Sequence, residues 1–199
     1  TLDRSSAASD VYKRQIPTIT EVLAEAGMEF SDLDAVVTGV GPGPFTGLRV
    51  GMATASALAD ALSIPLHGIC THDAIAAAAD LHVEPAAAAD EATALVATDA
   101  RRKEIYWATY RATDSGVQRI SGPAVTKPAE LEVELASTAE VIIPDRLAEQ
   151  LPERFAALPH RAAHPSATAL VAAADLEAEP APVVPLYLRR PDAVPPKQQ

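Results

Sequence analysis

The sequence predicts an α/β protein, and three observations carry that prediction. First, Leu33-Asp34-Ala35-Val36-Val37-Thr38 is the kind of β-branched apolar run that forms a buried strand. It is followed by the tight glycine loop GVGPGPFTGLR, Gly39 to Arg49, and then by Val50 to Leu62, a proline-free stretch of Ala, Met and Leu that reads as helix. Second, Ile64 to Cys70 repeats the strand, with Pro65 near its start, and leads into an alanine helix over Asp73 to Asp80 that Thr71 is placed to cap. Third, Ala94 to Thr98 and the alternating, aromatic run Glu104 to Arg111 form a hairpin around Asp99-Ala100-Arg101-Arg102.

The remaining elements follow in chain order. Thr1 to Gln15 is polar and aperiodic, and Asp10 to Gln15 reads like a translated transposon-end adaptor, so residues 1–15 are expected to be a non-native scar. Ile16, Ile19, Val22, Leu23 and Ala26 recur at helical spacing, with Thr18 and Thr20 near the start and Gly27 as the stop. Ser31 to Asp34 is a turn or short capped helix. Residues 81–92, with Pro85, alanines and acids, suit a solvated linker between a first lobe, 16–80, and a second, 93–190. In the second lobe a turn at Asp114-Ser115-Gly116 precedes a strand at Val117 to Ile120. Pro128 to Ala136 reads as a short helix and Glu140 to Ile143 as a strand. Pro144 to Leu158 is a helix interrupted at Pro152, and Ser166 to Leu176 an amphipathic helix. Val183 to Arg189 is extended, and residues 191–199 read as a disordered tail.

The glycine loop is bent but stiff: Gly41 and Gly43 allow backbone angles closed to other residues, while Pro42 and Pro44 fix φ. A helix beginning near Thr46 would aim unpaired N–H groups into the loop, with Thr46 as a cap, giving either an anion site or simply a tight strand-to-helix turn. It is not a Walker loop, because no Gly-Lys-Ser/Thr follows, and Thr46 stands where a dinucleotide loop needs its third glycine. Along the helix, Gly47, Gly51 and Ala55 recur every four residues and leave a face bare enough for another backbone to approach. Leu48, Met52, Ala55, Ala59 and Leu62 form an overlapping apolar stripe. The stripe can pack on the chain's own sheet, and the bare face on another subunit.

The 199 residues suffice for one large domain or two small lobes. Apolar residues make up 48% and aromatics only 4%, so helices are thin. The net charge of −11 disfavours tight standalone binding to nucleic acid. Cys70 is the only cysteine, which excludes a disulfide framework and a thiolate metal site, and its apolar strand makes it a small core residue. No run of 18 apolar residues is present and no signal sequence opens the chain, so a cytoplasmic address without membrane association is expected. His160 and His164 are four apart but flanked by prolines and lack a completing carboxylate, so no metal is expected there. No Gly-x-Ser-x-Gly occurs, and His67 and His72 have no serine partner, so they read as spectators. Asp99, Arg101, Glu104 and Tyr106 meet at the hairpin mouth either as a polar site or as a turn held by Asp99 with an Arg to Glu surface pair. Trp107 belongs in the core or between the lobes.

Four separated motifs, GPGPFTGLRVG, IPLHGI, DARRKEIYWATY and PLYLRR, occur in the order found in the bacterial TsaB family, also called YeaZ, which the chain resembles from about Ile16 to Arg190. The resemblance implies an actin-like, Hsp70-like ATPase (ribonuclease H-like) fold of two related α/β lobes, the first lacking its opening strands. It also implies a subunit with no intrinsic activity and no cofactor of its own. Such a subunit binds and activates a TsaD-like catalytic relative in making threonylcarbamoyladenosine in tRNA. A TsaE-like ATPase uses ATP in the complex, tRNA is met only through the complex, and a homodimer forms when the partner is absent. The docking surface would comprise Ile19, Val22, Leu23, Gly47, Leu48, Gly51, Met52 and Ala55. One departure is Pro44, where the family usually has Ser. The rival is an enzyme of the kinase or acyltransferase class with this ATPase fold, holding nucleotide phosphate through Gly41, Gly43, Thr46, Gly47 and Arg49 together with Asp99 and Arg101.

Overall fold

A computed structural model describes residues 2–79, 93–114, 116–135 and 140–189. The predicted linker at 81–92, the tail at 191–199, Asp80, Ser115, Ala136 and Arg190 lie outside the described residues.

Helix α1 spans Leu2–Glu25. It therefore begins before Ile16, running through the stretch set aside as a scar, so Thr18 and Thr20 are internal rather than capping residues. Thr20 donates its hydroxyl to the Ile16 carbonyl, 3.0 Å away. Gly27, at φ +70°, ends the helix as predicted. A single 3₁₀ turn at Phe30–Asp32, closed by a Glu29–Asp32 capping box, leads into β1, Val36–Gly41.

Helix α2, Phe45–Leu62, follows with Pro44 as its N-cap residue. Thr46 thus does not cap: proline's fixed φ, here −59°, already suits the entry to a helix and sacrifices no needed N–H, so the helix starts one residue earlier. β2, Leu66–Cys70, pairs in parallel with β1 in a two-stranded sheet, Val36 opposite Leu66 and Gly39 opposite Ile69. Helix α3, Thr71–Ala78, begins directly on that strand with Cys70 at its cap position, so Thr71 is the first helical residue and not the cap.

The larger sheet comprises β3 (Thr93–Arg101), β4 (Glu104–Thr113), β5 (Gly116–Thr126), β6 (Glu140–Ile142) and β7 (His160–Arg161), in the order β5-β4-β3-β6-β7. β5 outruns the predicted Val117 to Ile120 because the chain resumes pairing with β4 after an irregularity, Ala124 opposite Trp107. The predicted helix from Pro128 reduces to a 3₁₀ turn, Pro128–Glu130. Leu131 and Val133 then alternate inward with the period of extended chain, which a helix would break. α4 (Asp145–Ala148) and α5 (Glu153–Ala156) flank the predicted break at Pro152, and α6 (Ala167–Ala172) is a short helix capped by Ser166, whose Oγ accepts from the Ala169 N–H at 3.1 Å.

Each face of the large sheet has its own core. Leu95, Ile105 and Val141 pack on one side against Leu131, Leu147 and Phe155, with Trp107 at the edge. Ala94, Val96 and Tyr110 pack on the other against Ile75, Ala76 and Ala79 of α3 and its end. α3, read with the first lobe, therefore buries its apolar face on the second sheet. The chain also returns: the Leu186 N–H donates to the Val40 carbonyl at 2.8 Å, so the extended segment 183–188 lies along β1. Val183 closes over Gly68, where a Cβ would stand 2.6 Å from Val40 Cγ1 and 3.2 Å from Val183 Cγ2. No helix among the described residues is long and apolar enough to cross a membrane.

Candidate functional site

Two surfaces gather the predicted site residues. The first is the outer side of α2 with α1 beside it. Thr54 Oγ1 donates to Gln15 Oε1 and ties the two helices together. An apolar groove of about 520 Å³ between them has Ile19, Val36, Gly51, Ala55 and Leu58 in its walls, and a second, of about 830 Å³, runs along Ile16, Phe45, Val50, Ala57 and Leu58. An ideal Cβ at Gly47 or Gly51 meets nothing within 4 Å, so this face of α2 is open.

The eight predicted docking residues divide between outside and inside. Gly47 is exposed and Val22 is 57% exposed, while Ile19, Leu23, Gly51 and Met52 are half-buried. Leu48 and Ala55 turn inward: Ala55 is buried, and Leu48 Cδ2 lies so near β1 that a Cβ on Gly41 would be 3.1 Å from it. The stripe thus packs on the chain's own sheet, while the glycines and α1 face outward.

The second surface is a cleft of about 270 Å³ where the glycine loop, the β3–β4 turn and the 186–189 segment meet. Of the predicted phosphate-binding set, Gly43, Asp99 and Arg101 line it. Gly41, at φ +98°, is buried beneath the Leu186 carbonyl, Thr46 and Gly47 are exposed on α2, and Arg49 stands with its guanidinium 5.3 Å from the Phe45 ring centre.

At the turn, Asp99 Oδ1 accepts from the Arg101 N–H at 2.7 Å, and its Oδ2 accepts from Arg146 Nη2 at 3.2 Å. Asp99 therefore holds the turn. Glu104 pairs with Arg189, 3.3 Å away, whose other nitrogen donates to the Ala100 carbonyl at 2.8 Å. Sequence reasoning missed this partner and the Phe45–Tyr187 ring pair, centres 5.1 Å apart, although PLYLRR had stood out as a motif. Both depend on the tail folding back across the molecule, which local pattern does not report.

Other polar groups tie α3 to the large sheet. His72 is fully buried, with Nε2 2.9 Å from Thr98 Oγ1, and burial, with the charge of Arg119 adding to it, pushes its imidazole down to about 4. Tyr110 donates to Asp73 Oδ1 at 2.7 Å, and Arg119 sits 3.3 Å from the same oxygen. Cys70 is buried and free, and burial raises its thiol above the ordinary range. His160 lies on β7 and His164 on irregular chain beyond it, so they do not share a helix face. Among the described residues no group of His, Cys, Asp or Glu gathers to hold a metal.

Comparison with known proteins adds the family. The model of the family described as TsaD, tRNA N6-adenosine threonylcarbamoyltransferase, matches residues 5–178. An uncharacterized protein of Mycobacterium leprae is 45% identical over 92% of this chain, and Escherichia coli TsaB, a tRNA threonylcarbamoyladenosine biosynthesis protein, is 34% identical over 53% of it. The chain spans less than half of either relative, 45% and 43% of their lengths. YeaZ from Pseudomonas aeruginosa superposes with a TM-score of 0.66 at 26% identity, covering 89% of this chain and 84% of that one, so the predicted α/β fold class is shared with a solved structure.

Proposed function

Because the chain belongs to the TsaD family, and within it is a TsaB/YeaZ-like protein, we propose that it is a non-catalytic partner subunit in the formation of threonylcarbamoyladenosine in tRNA. In this reading it binds and activates a TsaD-like threonylcarbamoyltransferase in the cytoplasm. It uses no cofactor itself, works beside a TsaE-like ATPase that consumes ATP, and self-associates when its partner is missing.

The observation that supports this reading best is the open glycine face of α2 flanked by apolar grooves. Gly47 and Gly51 have free space above them, and Val22, Ile16 and Phe45 keep about half of their surface in water beside them. A face this bare permits close helix-on-helix approach, and burying the surrounding apolar surface would favour association by about 25 cal/mol per Å². The rival reading, a nucleotide-binding enzyme built on Gly41 to Arg49, draws support only from the cleft that Gly43 shares with Asp99 and Arg101. Against it, Thr46 makes no cap and the Asp99 carboxylate is already engaged by the turn and by Arg146.

Adding this chain to a TsaD-like protein supplied with its threonylcarbamoyl donor, a TsaE-like ATPase and ATP should raise modified tRNA by about tenfold or more. The chain alone should show no turnover. Nucleotide turnover by the isolated chain, or no stimulation of the partner, would overturn the proposal.

A further inference from the structure

We propose that Arg49 selects the partner: the surface that covers the outer groove of α2 is an apolar helix stripe carrying one aspartate or glutamate, and that carboxylate pairs with the Arg49 guanidinium. This rests on the preceding reading for which protein docks, and adds what that protein must present.

The first observation is the charge of the face. The charged side chains lining the two grooves along α1 and α2 are Arg14 and Arg49, and no acid lines either groove. Both are cations, on a chain whose net charge is −11. Arg14 belongs to the stretch read as a scar, which leaves Arg49. The acids of these helices whose side chains are described stand off the grooves. Glu21 and Glu25 lie toward the end of α1, and Asp60 lies about 16 Å from Arg49 along the axis of α2 by the helical rise.

The second observation is the place of Arg49 on its helix. It stands just beyond the first turn of α2, a turn that contains no acid. The N-terminal end of a helix is the positive end of its peptide dipoles and favours anions, so a cation here does nothing for the helix itself. The guanidinium lies 5.3 Å from the Phe45 ring centre, and Phe45 is 44% exposed in the same groove. The ring steadies the cation, while no carboxylate among the described residues takes its N–H donors.

The third is what docking would do to this group. Arg49 is exposed, so water satisfies its donors in the free chain. A partner seated along Ile16, Phe45, Val50 and Ala57 would strip that water away, and a guanidinium left unpaired in an apolar contact is strongly unfavourable. A carboxylate replaces the water with two parallel N–H···O bonds. A free phosphate would meet the charge but not the apolar walls. A second copy of this chain would bring grooves lined by arginine and no acid, so it offers like charge where a different partner can offer the opposite one.

The test is calorimetry of the full chain with a TsaD-like protein. Arg49→Met keeps most of the side-chain length and should weaken binding by about tenfold, because the facing carboxylate loses its cation. Arg49→Glu sets two carboxylates together and should weaken it by about a hundredfold. In a scan of the partner's surface acids to lysine, one variant should recover at least about tenfold of the affinity lost by Arg49→Glu. Since Arg49 is exposed, neither substitution should move the urea midpoint appreciably. Arg49 lines the larger groove and Gly51 the smaller, so the two positions are read separately. Native affinity in Arg49→Met, with binding lost in Gly51→Leu, would overturn this proposal and leave the docking reading standing; native affinity in both would overturn both. A scan in which no lysine restores binding would also overturn it. So would an Arg49→Glu chain whose self-association changes in sedimentation while its affinity for the partner does not, since the facing acid would then belong to a second copy.

Discussion

His72 shows how one side chain can tie α3 to the large sheet. It occupies the first turn of α3, is fully buried, and reaches across to Thr98 on β3, while its Nδ1 has no hydrogen-bond partner. A charged imidazole there would be desolvated beside Arg119, which is why its pKa falls from 6.5 to about 4. In the unfolded chain the ring regains its ordinary value. Between those two values the unfolded chain therefore binds a proton that the folded one excludes. The contribution is fully present above pH ~6.5 and is lost as pH falls through about 4, with a total on the order of 3 kcal/mol. Urea midpoints at pH 7 and pH 4.5 should accordingly differ more for the native chain than for His72→Gln. Equal differences would show that this ring does not set the acid limit. The sequence read His72 as a spectator, because its partner lies 26 residues away across a predicted linker.

Among the elements, the β4–β5 hairpin depends on a position the sequence gives no reason to single out. Gly122 sits at φ +82°, and a Cβ there would lie 2.7 Å from the Trp107 carbonyl oxygen and 2.9 Å from Ala108 Cα. Backbone atoms in a paired strand cannot yield as a flexible side chain can, and the conformation is itself costly for an L side chain. Gly122→Ala is therefore expected to cost about 2 kcal/mol or more, measured as a shift in urea midpoint, and an unchanged midpoint would contradict this packing. Most elements were legible because their signals are local. β1 announces itself by a β-branched apolar run, β2 and β3 by short apolar stretches, the α4–α5 break by Pro152, and the stop of α1 by Gly27. Where the reading failed, tertiary packing overrode local preference. Leu131 and Val133 became extended because alternate side chains fill the core beneath β3 and β6, and α2 began at Phe45 because Pro44 supplied the entry.

At the scale of the whole molecule, the chain runs from the small sheet to the large one and back. α3 buries its apolar face on the large sheet, the 183–188 segment lies along β1, and Arg189 bonds to the β3–β4 turn. This return builds the cleft, and it explains why the site was only partly readable. Asp99 and Arg101 were identified from their motif, but Phe45, Tyr187 and Arg189 join them only through contacts as distant as 89 residues. The docking face, by contrast, was visible as a four-residue repeat of small side chains, and the fold leaves its two glycines uncovered while turning Leu48 and Ala55 inward. The most direct test of the account is the affinity of Gly51→Leu for a TsaD-like protein, measured by calorimetry beside the native chain. Since nothing lies within 4 Å of a Cβ at Gly51, the added side chain should leave the urea midpoint nearly unchanged. The account predicts that binding falls by about a hundredfold or more, as an overpacked interface loses roughly 3 kcal/mol. Native affinity in a normally folded Gly51→Leu would contradict the claim that this face of α2 is where the partner docks.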